Sequence, residues 1–303
     1  VKNRSPLNMF YHAPKELTTD AFLTWILYYL DSTDELENYK QNFFASLILR
    51  KEDKGRMVGN IDVKRQENDV DVLLSFVFND TNETKTVLFE DKTWSSHHSD
   101  QLKRYKKIYP SCYRYFYYKL AYINSQEQKE IFNNGYELIN AFQMNEALRD
   151  IAGIHPLINM YCEYIGEVFC TPINLYEEKL FNKLKLDYDV LRDVGAQKYL
   201  CDKIVEEMQN QNCKYLEIRN GTSYGRLWTQ IDIAENKTGM WEKLFWRVDI
   251  RAGKFYIRLN QYGEPSEGQV ELKKNHLDLL RKHLKNFLCN EDNIKLSSRV
   301  IKD

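Results

Sequence analysis

The stretch Val87-Leu88-Phe89-Glu90-Asp91-Lys92 runs three apolar residues straight into an acid, with a lysine two positions further on. Side chains alternate between the two faces of a strand, so Glu90 and Lys92 should point the same way from the end of a buried strand. A carboxylate and an ammonium group aimed at one point beside hydrophobic core cost free energy unless they are used. Upstream, Asp71 opens Asp71-Val72-Leu73-Leu74, a second apolar strand with an acid at its edge. The two strands together point to a metal-dependent nuclease.

Phosphodiester hydrolysis needs the phosphate charge neutralised, a water activated and the leaving oxygen stabilised. Hard oxygen ligands around Mg²⁺ or Mn²⁺ serve all three, and such sites use one or two carboxylates plus the phosphates of the substrate. Asp71 and Glu90 would supply the carboxylates from adjacent strands. Lys92 would orient the attacking water and stabilise the phosphorane-like transition state. Asp69 competes with Asp71 for the ligand role, because a regular strand puts both on one side. Asp71 is preferred, since the apolar run begins immediately after it.

Outward from this pair, a dense apolar helix fits Ala21 to Leu30, with Thr18 or Thr19 as its cap. A second helix fits Glu37 to Leu49. The period then changes to strands over Met57 to Lys64, Val70 to Phe78 and Thr84 to Lys92, the last two joined by the turn Asn79-Asp80-Thr81-Asn82-Glu83. A helix near Ser99 to Ile108 is stopped by Pro110. A fourth strand follows over Tyr113 to Ile123, then two or three helices over 126–170. From about 173 the texture changes: a helix over Asp187 to Gln211, four antiparallel strands (Tyr215 to Arg219, Arg226 to Ala234, Leu244 to Ile250, Lys254 to Leu259), a hairpin turn at Arg251-Ala252-Gly253-Lys254 and a closing helix over Lys273 to Leu288. The expected architecture is α/β: a domain of residues 1–172 with a mixed sheet flanked by helices, then a smaller α+β domain of residues 173–303 with an antiparallel sheet.

At this point the chain resembles the PD-(D/E)XK nuclease superfamily. Asp71, a spacer and Glu90-Asp91-Lys92 match its acid, spacer, acid-x-lysine signature. Glu16, in Glu16-Leu17-Thr18-Thr19-Asp20-Ala21-Phe22-Leu23-Thr24-Trp25, looks like the glutamate on the first core helix of many members. Gln101-Leu102-Lys103-Arg104-Tyr105 looks like the QxxxY element on the helix after the lysine strand. One branch of bacterial proteins combines all three elements, although it has Asn where Asp91 stands here. The resemblance implies a restriction-endonuclease-like fold and a DNA endonuclease active in restriction, anti-phage defence or repair. It also implies a third metal ligand in the Asp91 carbonyl, a role for Glu16 toward a second metal or its water, and contact of Gln101 with the lysine or the substrate. Glu16 could equally be charge compensation at a helix N-terminus. The resemblance covers about the first 120 residues well and the last 130 not at all.

Lys103, Arg104, Lys106 and Lys107 form a basic cluster on the helix bordering the presumed phosphate channel, where backbone contact competes with an ordinary solvated face. Trp94 could stack on a base or pack against the first helix, and His97 and His98 lie in the same loop. In the C-terminal half, Arg219, Arg226, Trp228, Trp241, Trp246, Arg247, Arg251, Tyr256 and Arg258 interleave charge with aromatic rings, which suits a partner or plain alternation between core and solvent. Gly221-Thr222-Ser223-Tyr224-Gly225 lacks the lysine of a phosphate loop and reads as a turn.

Composition sets bounds. Lys and Arg number 43 against 44 Asp and Glu, so no polyanion signature is visible in the sum, which leaves a local basic groove open. The 21 Tyr, 15 Phe and 5 Trp are read mainly as core. Six cysteines without a CxxC pair argue against zinc fingers and a disulfide framework, and read as reduced, buried thiols of a cytoplasmic protein. No run approaches the length of a membrane span. Many duplex cutters dimerise, so a homodimer is open. Rival functions are cleavage of RNA or of single-stranded or branched DNA, and a nucleic-acid- or protein-binding module without catalysis.

Overall fold

A computed structural model describes residues 7–13, 16–95, 100–181, 190–210, 215–223, 226–234, 245–251, 254–260 and 267–287. The chain divides into two compact units, Val1–Tyr199 and Leu200–Asp303. The boundary therefore falls later than the expected 172/173. The reason is packing: Tyr176, Leu180, Leu191 and Ala196 are buried in the first unit, and the Tyr176 hydroxyl donates to Asp193 at 2.8 Å.

The first unit is built on a mixed five-stranded sheet in the order β1-β2-β3-β4-β5. Strands β1 (Val58–Glu67), β2 (Val70–Phe78) and β3 (Glu83–Lys92) form an antiparallel meander, and β4 (Arg114–Lys119) and β5 (Glu137–Asn140) add in parallel. Helix α1 (Glu16–Leu30) and the short α2 (Glu37–Phe43) precede the meander; α2 runs into a π-helical turn over Phe44–Ile48. Helix α3 (Gln101–Ile108) connects β3 to β4, and α4 (Ser125–Asn133) connects β4 to β5. Then come α5 (Ala141–Arg149), α6 (Pro156–Ile165), α7 (Thr171–Phe181) and α8 (Val194–Asn210). The expected order α-α-β-β-β-α-β is present. Four-residue β5, too short for its alternation to stand out, lies where only helices were expected.

The pleat sorts the sheet into two cores. Val72, Leu74, Val87, Phe89, Phe116 and Tyr118 face one side and pack with Phe22, Leu23 and Ile26 of α1 and with Tyr161 of α6. Leu73, Leu88 and Tyr117 face the other side and pack with Leu102 and Tyr105 of α3 and Ile131 of α4. Helix α1 begins at Glu16, so Thr18 and Thr19 lie inside its first turn instead of capping it. Thr19 is buried, its hydroxyl 3.3 Å from that of Thr93.

Strand β1 runs three residues past the expected Lys64 because Asn68 and Asp69 make a two-residue turn with Glu67 paired to Val70. Both have positive φ, 53° and 66°, the geometry of a type I′ hairpin. Asp69 is therefore at an exposed turn tip, ion-paired with Arg104 at 3.4 Å.

The second unit carries a four-stranded antiparallel sheet, β6 (Tyr215–Ser223), β7 (Arg226–Ala234), β8 (Phe245–Arg251) and β9 (Lys254–Asn260), followed by helix α9 (Glu267–Phe287). Residues 221–223 belong to β6, while 224–225 and the turn residues 252–253 lie outside the described residues, as does Trp241. Arg247 forks onto buried Asp232 at 2.6 and 3.0 Å, and Arg258 Nε lies 3.0 Å from buried Asp249. These arginines are engaged by acids of their own sheet, which favours the structural reading of the interleaved pattern. Among the described residues no helix is long and apolar enough to cross a membrane. Cys170 and Cys201 are buried, and Cys112 and Cys162 are only half-buried; all four are free.

Because glycine carries no penalty at positive φ, Asp69→Gly should leave stability unchanged or raise it by up to about 1 kcal/mol. Urea denaturation checks this, and a loss larger than 1 kcal/mol would contradict the turn assignment.

Candidate active site

Three consecutive ionisable residues end β3. Glu90 has no exposed surface, Asp91 is 1 % exposed and Lys92 7 %. Register places their partners. Val72 pairs with Phe89, which brings Asp71 level with Glu90 at the start of β2, and Leu73, next but one to Asp71, faces the α3 side. Asp71, Glu90 and Lys92 therefore share the α3 face, and Asp91 is sent to the α1 face.

The Lys92 ammonium lies 2.6 Å from Glu90 Oε1 and 3.8 Å from Asp71 Oδ2, and donates to the Asp91 carbonyl at 3.0 Å. Apart from the Lys92 ammonium and the Asp71 carboxyl beside it, neither carboxylate oxygen of Glu90 has a hydrogen-bond partner among the described residues. Asp71 is held from two sides, accepting from the Asp91 amide at 2.8 Å and from Gln66 Nε2 at 3.2 Å. Gln66 adopts φ +54°, strained for a residue with a side chain, and its amide also reaches Asp20 Oδ2 at 3.4 Å.

These surroundings move proton affinities. Burial, and then the neighbouring Asp71, push the Glu90 carboxyl up to about 8. Burial alone would push the Lys92 ammonium down, but Glu90, Asp71 and Glu16 together move it up, so it stays charged. On the α1 face, burial raises Asp20 to about 6, and burial with the nearby Asp20 raises Asp91 well above the carboxylate range. No N–H donor reaches either Asp91 oxygen or Asp20 Oδ1, and the two carboxyls lie within hydrogen-bonding reach of each other, a contact that is attractive only with a proton between them.

Glu16, in the first turn of α1, accepts from the Ser95 hydroxyl at 2.6 Å and is near enough to act on both Lys92 and Asp91. Gln101 donates to the Tyr105 hydroxyl at 2.9 Å, and buried Tyr105 donates to the Asp69 carbonyl. This contact of Gln101 with Tyr105 helps pin the hairpin ahead of Asp71. Asp69 is excluded from the ligand set: the I′ turn takes it out of the strand alternation on which its candidacy rested. Lys103, Arg104 and Lys107 lie on the exposed face of α3, with Lys103 3.8 Å from Asp100. Trp94 is 47 % exposed and packs on Phe169, 4.9 Å between ring centres. His97 and His98 lie outside the described residues.

Three contributors were missed from the sequence. Asp20 sits one helical turn after Glu16, a spacing that puts both on one side of α1, and this was the available signal. Gln66 gives none. Lys119, fully buried at the end of β4, is visible only as a charge inside an aromatic run. Burial pushes its ammonium down to about 8.

Among the described residues no group of three or more His, Cys, Asp or Glu side chains forms a metal cluster. The donor set at Lys92 is two carboxylates and a backbone carbonyl, the kind Mg²⁺ takes when substrate and solvent complete its shell. The buried Glu90 oxygens, served only by the Lys92 ammonium and the Asp71 carboxyl among the described residues, fit such a cation. No family model, curated protein or solved structure matches the chain.

Between 4.5, the ordinary value for a glutamate, and about 8, the folded protein binds the Glu90 proton more tightly than the unfolded chain does. Stability therefore falls as pH rises through that window. In chelator, Glu90→Gln should be about 1–3 kcal/mol more stable than the parent at pH 8 and nearly equal to it at pH 5. Thermal unfolding at the two pH values measures this, and a variant less stable at pH 8 contradicts it.

Proposed function

We propose that the chain is a metal-dependent nuclease of PD-(D/E)XK type, an endonuclease that hydrolyses DNA phosphodiester bonds with Mg²⁺ or Mn²⁺. The observation that carries the reading is the convergence of the Asp71 and Glu90 carboxylates and the Asp91 carbonyl on one cationic point at the end of β3. The order α1-β1-β2-β3-α3-β4 around a mixed sheet supports a restriction-endonuclease-like core.

Held by Asp71, Glu90 and the Asp91 carbonyl, the cation would neutralise the phosphate, lower the pKa of water and stabilise the leaving oxygen. The protein's own part begins with Glu90, whose carboxyl burial holds toward the protonated form and which would serve as a ligand once ionised. Lys92 stays charged, and its Nζ can donate to the attacking water and to a phosphate oxygen where negative charge develops. The Asp91 amide and Gln66 keep Asp71 aimed at the same point. The exposed Lys103, Arg104 and Lys107 would take neighbouring backbone phosphates, which position a substrate without reading its sequence.

Purified protein should cut plasmid DNA in Mg²⁺ or Mn²⁺, and Asp71→Ala, Glu90→Ala and Lys92→Ala should each lower the rate by at least about 10²-fold. Equal activity in all three removes the assignment. Labelled RNA and single-stranded and branched DNA in the same assay separate the substrate classes. Alanine at Lys103, Arg104 and Lys107 together should weaken duplex binding and reduce the slope of log K against log salt by about 0.9 for each charge that touches phosphate. An unchanged slope places the basic face of α3 away from the substrate.

A further inference from the structure

Lys119 lies at the same end of the sheet as the candidate site and has no part in the mechanism above. It pairs with Lys92 in the parallel β3–β4 register, so the two side chains leave neighbouring strands on one face. Its ammonium donates to the Ser95 carbonyl and lies 3.7 Å from Glu127 of α4. Glu127, also buried, takes Lys198 of α8 at 3.3 Å and the Tyr117 hydroxyl at 3.3 Å. Two buried ammonium groups thus depend on one carboxylate. A pair of well-packed apolar side chains would fill the same volume without that desolvation penalty.

Beyond Glu127 the Lys119 charge feels Glu16 and Lys92, and its ammonium holds the segment after β3. Thr93 is buried, its hydroxyl 3.3 Å from Thr19 of α1, and its carbonyl accepts the Ala121 amide at 3.0 Å. Ser95 is held at its carbonyl by Lys119 and uses its hydroxyl on Glu16 Oε1 at 2.6 Å. The segment 93–95 is therefore tied to β4 on one side and to α1 on the other, and Ser95 is the residue through which Lys119 reaches Glu16.

We propose that Lys119 is a positioning residue: by fixing the Ser95 carbonyl it sets the Ser95 hydroxyl, which holds the Glu16 carboxylate where its charge bears on Lys92, beside the cation site of Asp71 and Glu90. The proposal rests on that cation site. A purely structural Lys119 would affect stability alone, whereas a positioning one must change how the protein takes up its cation.

Calorimetric titration with Mn²⁺, using the full chain, reads this directly and does not depend on cleavage. Lys119→Met keeps the length of the side chain and removes the donor. It should weaken Mn²⁺ binding roughly tenfold, in the range found for residues that orient metal ligands. Ser95→Ala should do the same. Because the two act in series, the double variant should be little worse than either single one. Lys198→Met, which removes the other buried ammonium but leaves Ser95 held, should lower the unfolding temperature with Mn²⁺ affinity unchanged. The proposal is overturned if Ser95→Ala binds Mn²⁺ within twofold of the parent, if the Lys119 and Ser95 effects multiply, or if Lys119→Met unfolds earlier with its affinity intact. Should Lys119→Met fail to fold, Ser95→Ala decides alone. A parent that binds Mn²⁺ without cutting any nucleic acid defeats the nuclease reading and leaves this test standing; a parent that binds none defeats both.

Discussion

Three consecutive ionisable residues must be buried at the end of one strand, and the pleat sends them to opposite faces. Glu90 and Lys92 go toward α3 and Asp91 toward α1. Each face then has to answer for its own charge. On the α3 side the Lys92 ammonium stands among three oxygen acceptors, and it is the one cation beside Glu90 among the described contacts. On the α1 side Asp91 meets acids, Asp20 first among them, and a proton makes the contact between those two attractive. The remaining features of the site follow from these two incomplete solutions.

A dry carboxyl with so few polar neighbours is poorly solvated and attracts a cation small enough to reach it. That is a disadvantage for stability and an asset for binding, the usual trade at functional sites. The scaffold around it is correspondingly stiff. Asp71 is clamped by a backbone amide and by a strained Gln66, and the hairpin before it is pinned through Tyr105 to α3. Aromatic packing supplies the rigidity: Phe22 stacks against Tyr161 at 3.8 Å between ring centres beneath α1, and Tyr118 and Tyr161 join hydroxyls at 3.0 Å behind Asp91. The high tyrosine content is thus spent mainly on the core of the first unit.

Much of this was legible in the chain because it rests on local periodicity. Apolar runs with an acid at one end marked β2 and β3, and alternation alone put Glu90 and Lys92 on one face. The same rule failed at Asp69, where two residues of positive φ interrupt the alternation and carry the acid out to the turn tip. It also passed over β5, whose four residues offer too short a pattern. The late boundary between the units was hidden because it falls within the helix α8 and no flexible linker marks it.

By itself the sequence determined the order of elements from α1 to β4, the antiparallel run of the second unit, and the shared face of Glu90 and Lys92, since all of these follow from the two- and 3.6-residue repeats of strand and helix. Only the tertiary structure decided that Asp71 rather than Asp69 stands level with Glu90, that Asp20 faces Asp91, and that Lys119 reaches Glu16 through Ser95. Those relations join residues from 19 to 79 positions apart. They depend on register and helix placement, which no local repeat encodes, and on burial, which turns ordinary acids and lysines into groups that must find one another.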